Sequence, residues 1–176
     1  AEGGRLLETD QGWLSFSEAP IPPETARHWQ DLLTGERKSI KPRVERGSPR
    51  LRFNWSSPIQ LSPHNHHTVY FGSQYLHKST NRGDKWATIS PDLTSANEER
   101  IKGNVPHCTI TTIAESPTRP GLVWVGTDDG EVWLTPDDGR TWKNLNEALP
   151  KSVRKLWVSR VEASRFAEGR CYISFT

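Results

Sequence analysis

The strongest constraint on this chain is an eight-residue turn written twice, Ser79-Thr80-Asn81-Arg82-Gly83-Asp84-Lys85-Trp86 and Thr135-Pro136-Asp137-Asp138-Gly139-Arg140-Thr141-Trp142. Both copies place a hydroxyl first, Asn or Asp third, Gly fifth and Trp eighth. A hydroxyl and an amide or carboxylate two residues on bond the backbone amides of a tight turn, and Gly takes the positive φ that closes it. Trp then opens the next strand, and its ring, burying roughly 150–250 Å², lies between neighbouring sheets. Ser79, Asn81, Gly83, Trp86, Thr135, Asp137, Gly139 and Trp142 therefore read as fold staples, not as a binding or catalytic centre.

Extending the alignment outward recovers a longer unit. Ser62-Pro63 matches Ser116-Pro117, Val69-Tyr70-Phe71-Gly72 matches Val123-Trp124-Val125-Gly126, and Leu76-His77-Lys78 matches Val132-Trp133-Leu134. Short apolar runs between Ser-Pro and Gly turns read as four antiparallel strands per unit, the size of one propeller blade. In the clearer copy the strands are expected at Cys108–Ala114, Leu122–Thr127, Glu131–Thr135 and Thr141–Leu145. In the other they fall near Asn54–Leu61, Thr68–Ser73, Tyr75–Ser79 and Lys85–Ile89. A further unit begins at Trp157, with Ser164 in the column of Ser116 and Cys171-Tyr172-Ile173 in that of Val123-Trp124-Val125.

The doubled turn resembles the Asp-box of sialidase-like and sortilin-like β-propellers. Asp31 to Ile40, Arg52-Phe53-Asn54-Trp55, His107 to Ile113, Gly126-Thr127-Asp128-Asp129-Gly130 and Trp157 to Ser164 extend the resemblance to bacterial sortilin-like Asp-box (BNR-repeat) proteins, often labelled glycosyl hydrolases. The resemblance implies an all-β fold, a partial propeller of about two complete blades with partial blades at both termini. Residues 1–51 then hold partial-blade hairpins and a basic linker. Residues 52–106 and 107–156 each hold a blade and a connecting loop, and 157–176 the first half of another. Leu6 to Phe16, with Thr9-Asp10-Gln11-Gly12 as a loose box, is a candidate for a missing outer hairpin, and Ala26 to Lys41 for a second hairpin. Pro20, Pro22 and Pro23 mark an extended linker.

Composition limits the function classes. No apolar run approaches a membrane span, and 23 basic against 21 acidic residues leave a net charge of +2 that argues for neither nucleic acid nor an anionic membrane. Cys108 and Cys171 lie in apolar runs, and their spacing fits no zinc or redox motif, so buried free thiols are expected. No cofactor is expected. The numbering opens at Ala1 without a signal-peptide pattern, so a secreted or periplasmic location rests on the resemblance.

Candidate sites are few. A glycosidase needs two carboxyl groups about 5 to 9.5 Å apart across a cleft. Asp128 and Asp129, on the turn between the second and third strands opposite the Asp-boxes, are the pair to inspect, with Glu162 as a partner acid; a plain Asp-Gly hairpin turn is the competing reading. Trp55 and Trp157 share a column at the start of first strands, where they serve as sugar platforms or as core. Gln74 and Arg160 complete the candidate ligand-binding set of Trp55, Gln74, Asp128, Asp129, Trp157 and Arg160. The sialidase arrangement of an arginine cluster with a Tyr nucleophile and its Glu is missing from these positions. No metal site is expected: His64, His66 and His67 align with the ordinary turn at Thr118 to Gly121. The basic run from Arg37 to Arg52 reads as a solvated connector, and the long links Pro91 to His107 and Asn146 to Leu156 as a binding rim.

Three functions follow as alternatives. The first is a non-catalytic binding or assembly module that engages a protein or glycan, with another chain or further blades completing the ring. The second is a xyloglucanase- or sialidase-like glycosidase with Asp128 or Asp129 and Glu162 as acid and base. The third is a structural subunit of a larger complex.

Overall fold

The computed structural model describes residues 5–9, 12–16, 28–31, 37–43, 47–55, 57–103, 105 and 107–176, with side chains from Lys38 onward. Its sheets are antiparallel throughout. β1 (Arg5–Thr9), β2 (Gly12–Phe16), β3 (His28–Asp31) and β4 (Arg37–Ser39) form one sheet in chain order. β5 (Ile59–Leu61), β6 (Val69–Gly72), β7 (Leu76–Ser79) and β8 (Ala87–Thr88) form the next. A third holds β9 (Ile110–Glu115), β10 (Val123–Thr127), β11 (Val132–Thr135) and β12 (Lys143–Asn144), and β13 (Val158–Ala163) pairs with β14 (Cys171–Phe175). The described residues thus contain three four-stranded sheets and one two-stranded sheet, the expected partial propeller.

The first sheet differs from the expectation of separate hairpins. β2 pairs with β3, Leu14 opposite Asp31 and Phe16 opposite Trp29, which joins the two hairpins into a single sheet. The Leu6–Phe16 stretch, a candidate outer hairpin for a later blade, is instead paired through β2 with β3 of its own sheet. The expected Pro-rich linker and the Thr-Gly turn at 34–35 lie outside the described residues.

Sheets stack face to face. β6 and β10 are buried along their whole length because both faces are covered, which accounts for their unbroken apolar runs. One core, with Tyr70, Leu76, Ile110, Val123 and Val125, joins the second and third sheets. Another, with Trp124, Val132, Val158, Val161 and Ala163, joins the third sheet to β13–β14. Each fully buried side chain of this kind contributes about 1.5–3 kcal/mol. Gly72 and Gly126 share a column beneath the first strand of the following blade: a Cβ would lie 2.8 Å from Ile110 Cγ2 at the former and 2.3 Å from Val158 Cγ1 at the latter.

The two eight-residue turns have one hydrogen-bond pattern. Ser79 Oγ accepts from Gly83 N at 2.8 Å and Asn81 Oδ1 from Lys85 N at 2.9 Å. Thr135 Oγ1 accepts from Gly139 N and Asp137 Oδ1 from Thr141 N, both at 2.8 Å. Left-handed backbone extends to the residue before each Gly, Arg82 (φ 59°) and Asp138 (φ 60°). Each turn docks on the residue that leaves the last strand of the preceding blade. A Cβ on Gly83 would stand 2.6 Å from Ile40 Cβ, and one on Gly139 2.4 Å from the Ile89 carbonyl, which also accepts from Trp142 Nε1 at 3.0 Å.

The long connections carry short helices that the repeat does not reveal. α1 (Glu98–Ile101) is N-capped by Asn97, whose side chain accepts from Glu99 N and Arg100 N. Two 3₁₀ turns, Asn146–Ala148 and Lys151–Val153, occupy the other connection.

Candidate functional site

Strand three of each blade runs from the turn after strand two to the eight-residue box, so that turn and the box lie at opposite ends of the blade. Gln74 and Asp128 occupy one column of the repeat, two residues beyond Gly72 and Gly126. Both reach back to the chain entering the first strand of their own blade. Gln74, fully buried, accepts from Arg52 N at 2.7 Å and donates to the Arg50 carbonyl at 3.0 Å. Asp128 Oδ1 accepts from Thr109 N at 2.9 Å, and Oδ2 from Thr109 Oγ1 at 2.7 Å.

Asp128 also crosses between blades, because Asn54 Nδ2 donates to its Oδ2 at 3.1 Å. Asn54 Oδ1 accepts from Trp55 N at 2.6 Å, so one amide fixes both the carboxylate and the backbone of the neighbouring tryptophan. Asp129 faces the other way. Its Oδ1 accepts from Thr127 Oγ1 at 2.5 Å, and its Oδ2 from Ser95 N and Ser95 Oγ, both at 2.7 Å. The Pro91–His107 connection is thereby tied to the turn, on the face where a rim was expected.

These bonds decide what the two aspartates can do. The Asp128 side chain is fully buried, Asp129 is 4% exposed, and each of their four oxygens accepts at least one hydrogen bond. A general acid, base or nucleophile needs an oxygen within reach of substrate. Charge-assisted bonds to backbone amides and hydroxyls instead make each carboxylate a clamp. Glu162 is elsewhere: on the exposed side of β13 it pairs with Arg160, Nη2 to Oε2 at 3.0 Å.

The aromatic candidates divide. Trp55 is 66% exposed, far outside any core, whereas Trp157 is half-buried, with its ring edge-to-face on His107 at 6.3 Å between centroids. His107 Nδ1 lies 3.8 Å from Asp128 Oδ2. The structure therefore gathers Trp55, Asn54, Asp128, His107 and Trp157 along the inner end of adjacent blades. Arg52 extends the group, its guanidinium donating to the Cys108 carbonyl at 3.1 Å and to Asp92 at 2.7 Å. Sequence reading missed the roles of Asn54, Ser95, Arg52 and His107. Arg52, Asn54 and His107 lie in the Arg52–Trp55 and His107–Ile113 segments that carry the resemblance, the one signal for them.

Several titratable groups are held away from their usual ranges. Burial lowers the His77 imidazole to about 4, between Ser73 Oγ at 2.8 Å and Thr88 Oγ1 at 3.1 Å. Tyr70 donates to Glu115 Oε1 at 3.1 Å, a Tyr–Glu pair between blades; burial and the Glu115 charge push the phenol up, opposite to what a nucleophile requires. Burial and the Asp129 carboxylate raise the Cys108 thiol, and Cys171, only half-buried, is also raised by burial. Both cysteines are free thiols.

The histidine turn is more than a solvated loop. His64 Nε2 donates to the Ser116 carbonyl of the next blade at 2.7 Å, and His67 Nε2 accepts from Arg82 Nη2 at 2.7 Å. These rings tie the turn to the box and to the following sheet. No described helix is long and apolar enough to cross a membrane.

No family model matches this sequence, and no curated protein does. Among solved structures it is similar to the GH74 xyloglucanase from Xanthomonas campestris, with a TM-score of 0.50 and 24% identity over 66% of this chain and 18% of that one. A GH74 enzyme from Niastella koreensis gives 0.42 and 16% over 65% of this chain and 14% of that one, and an ancestral GH74 enzyme 0.41 and 16% over 81% and 18%. The chain thus spans about a fifth of the length of these enzymes or less. The first likeness, with the four-stranded antiparallel sheets, establishes the fold as part of a β-propeller.

Proposed function

We propose that this chain is a non-catalytic binding or assembly module on an Asp-box propeller scaffold, engaging a protein or glycan through the face opposite the boxes. The single observation that carries this reading is the engagement of every Asp128 and Asp129 oxygen by hydrogen bonds inside the blade. On this reading Trp55, Trp157 and Arg160 meet the ligand, while Gln74, Asp128 and Asp129 hold the strands that present them. The exposure of Trp55 supports that division, since a large aromatic ring at the surface offers area for a ligand to cover. Secretion or export to a periplasm accompanies the proposal.

A second reading, a glycosidase with Asp128 or Asp129 and Glu162, is favoured by the likeness to a xyloglucanase. The buried aspartates speak against it. A purely structural subunit is the third reading. A glycan and protein array probed with wild type and Trp55→Ala tests the leading proposal: a hit weakened at least tenfold by the substitution supports it, and no hit, or one indifferent to Trp55, refutes it.

A further inference from the structure

The Pro91–His107 connection is anchored at one point and latched at another. Leu93 is fully buried in the core with Tyr70 and Ile110, and its amide donates to the Gln74 carbonyl at 3.0 Å. Its neighbours are clamped by Arg52, whose Nη2 donates to Asp92 Oδ2 at 2.7 Å and to Thr94 Oγ1 at 3.1 Å. Asp92 Oδ1 accepts from Thr94 N at 3.0 Å, which closes the turn around the anchor. Beyond Thr94 the chain leaves the core. Residues 95–103 are exposed except for half-buried Ile101, and α1 within them buries no residue. The helix is braced by its own segment, by the Asn97 cap and by the Lys102–Glu98 pair.

Two donors of one residue hold this stretch down. Ser95 N and Ser95 Oγ both bond Asp129 Oδ2 at 2.7 Å. Among the described residues, the other polar contacts from 95–103 to positions outside the connection fall on one atom, the Cys108 sulfur. It lies 3.9 Å from Ser95 Oγ and 3.9 Å from the Asn97 carbonyl. Sulfur is a weak donor and acceptor, so the charge-assisted pair on Asp129 carries the attachment. Cys108 is fully buried, with Ser95 and Asn97 over its sulfur. Ala96, between those two residues, has a φ of 51°, a left-handed conformation that its Cβ disfavours and that release of the segment relieves.

We infer that residues 95–103 form a hinged strap, fixed at Leu93 and latched to Asp129 through Ser95, that opens while the blades stay folded and controls access to the face beside Cys108. A segment without buried side chains, held by bonds to a single carboxylate oxygen, belongs at the low end of local stability. Opening uncovers the Cys108 thiol and strips Asp129 Oδ2 of both Ser95 donors. Asp128 keeps its bonds to Thr109 and Asn54, which lie outside the strap, so the carboxylate that joins the blades is undisturbed. The strap thus gives this rim a closed and an open state, and the inference does not rest on the binding proposal.

The test uses the thiol as a reporter in a Cys171→Ser background, with the chain otherwise intact. Alkylation of Cys108 by iodoacetamide is followed by mass spectrometry in urea below the unfolding transition, and at several pH values to correct each rate for its thiolate fraction. The rate is expected to be flat in urea, because local opening exposes little surface. Ser95→Ala removes one of the two latch donors and should raise the rate about tenfold or more, the effect of losing one hydrogen bond to a carboxylate, at an unchanged urea midpoint. Ser95→Thr keeps the hydroxyl and should stay within about twofold of the parent. A rate that climbs with urea along the global transition overturns the inference, since the thiol is then reached only by unfolding. So does a folded chain that is never alkylated, indifference to Ser95→Ala, an equal rise in both variants, or a rise matched by a fall in the urea midpoint.

Discussion

Asn54 of one blade and Asp128 of the next are joined by a buried hydrogen bond of 3.1 Å, and the same aspartate receives both the backbone amide and the hydroxyl of Thr109. Asp128→Ala would strand three donors, one of them between blades. A loss of about 2–4 kcal/mol is expected, equivalent to a fall in Tm on the order of 4–16 °C for a chain of this size. Urea denaturation measures it.

Box docking predicts an ordering among glycine substitutions. Gly139→Ala meets both a φ of 88° and the Ile89 carbonyl at 2.4 Å, whereas Gly169→Ala meets only a φ of 75°. The first should cost more than about 2 kcal/mol and the second about 1 kcal/mol. Thermal melts of the two variants compare them directly.

The repeat was legible because its signals are local. Gly83 and Gly139, the flanking hydroxyl and acid, and the runs of β6 and β10 each follow from short-range backbone geometry and coverage on both faces. The joining of β2 to β3 was not legible, since it depends on pairing across residues 17–27, where no local signal supplies a register. At the candidate site the Asp-Gly turn was visible, yet the partners of its carboxylates come from 74 and 34 residues away in sequence, Asn54 and Ser95. A period of one blade predicts columns within units; it is silent on bonds that no other unit repeats.

His77 gives the fold a pH dependence. Its imidazole is lowered to about 4 by burial, so the unfolded chain binds a proton near pH 6.5 that the folded chain refuses. The associated stability is complete above about pH 6.5 and is lost as pH falls towards 4, by at most about 1.4 kcal/mol per pH unit. His77→Gln should flatten that slope in urea midpoints collected from pH 7 to 4. Comparing the two chains separates His77 from Glu131, whose carboxyl, raised by burial, acts in the opposite sense.

Trp55 and Trp142 should part stability from binding. Trp142 packs on the core and donates to the Ile89 carbonyl, so Trp142→Ala is expected to cost about 3–5 kcal/mol. Trp55→Ala, at a residue 66% exposed, should change stability by less than about 0.5 kcal/mol. Denaturation of both, beside array binding of Trp55→Ala, checks the division.

The central claim is that Asp128 holds the binding face together and performs no chemistry. Its most direct test is Asp128→Asn, assayed in parallel for thermal stability and for turnover of xyloglucan and chromogenic glycosides across pH 4 to 8. The account predicts a lowered Tm and no glycoside turnover by either protein. Turnover by the wild-type chain that Asp128→Asn abolishes at an unchanged Tm would contradict it.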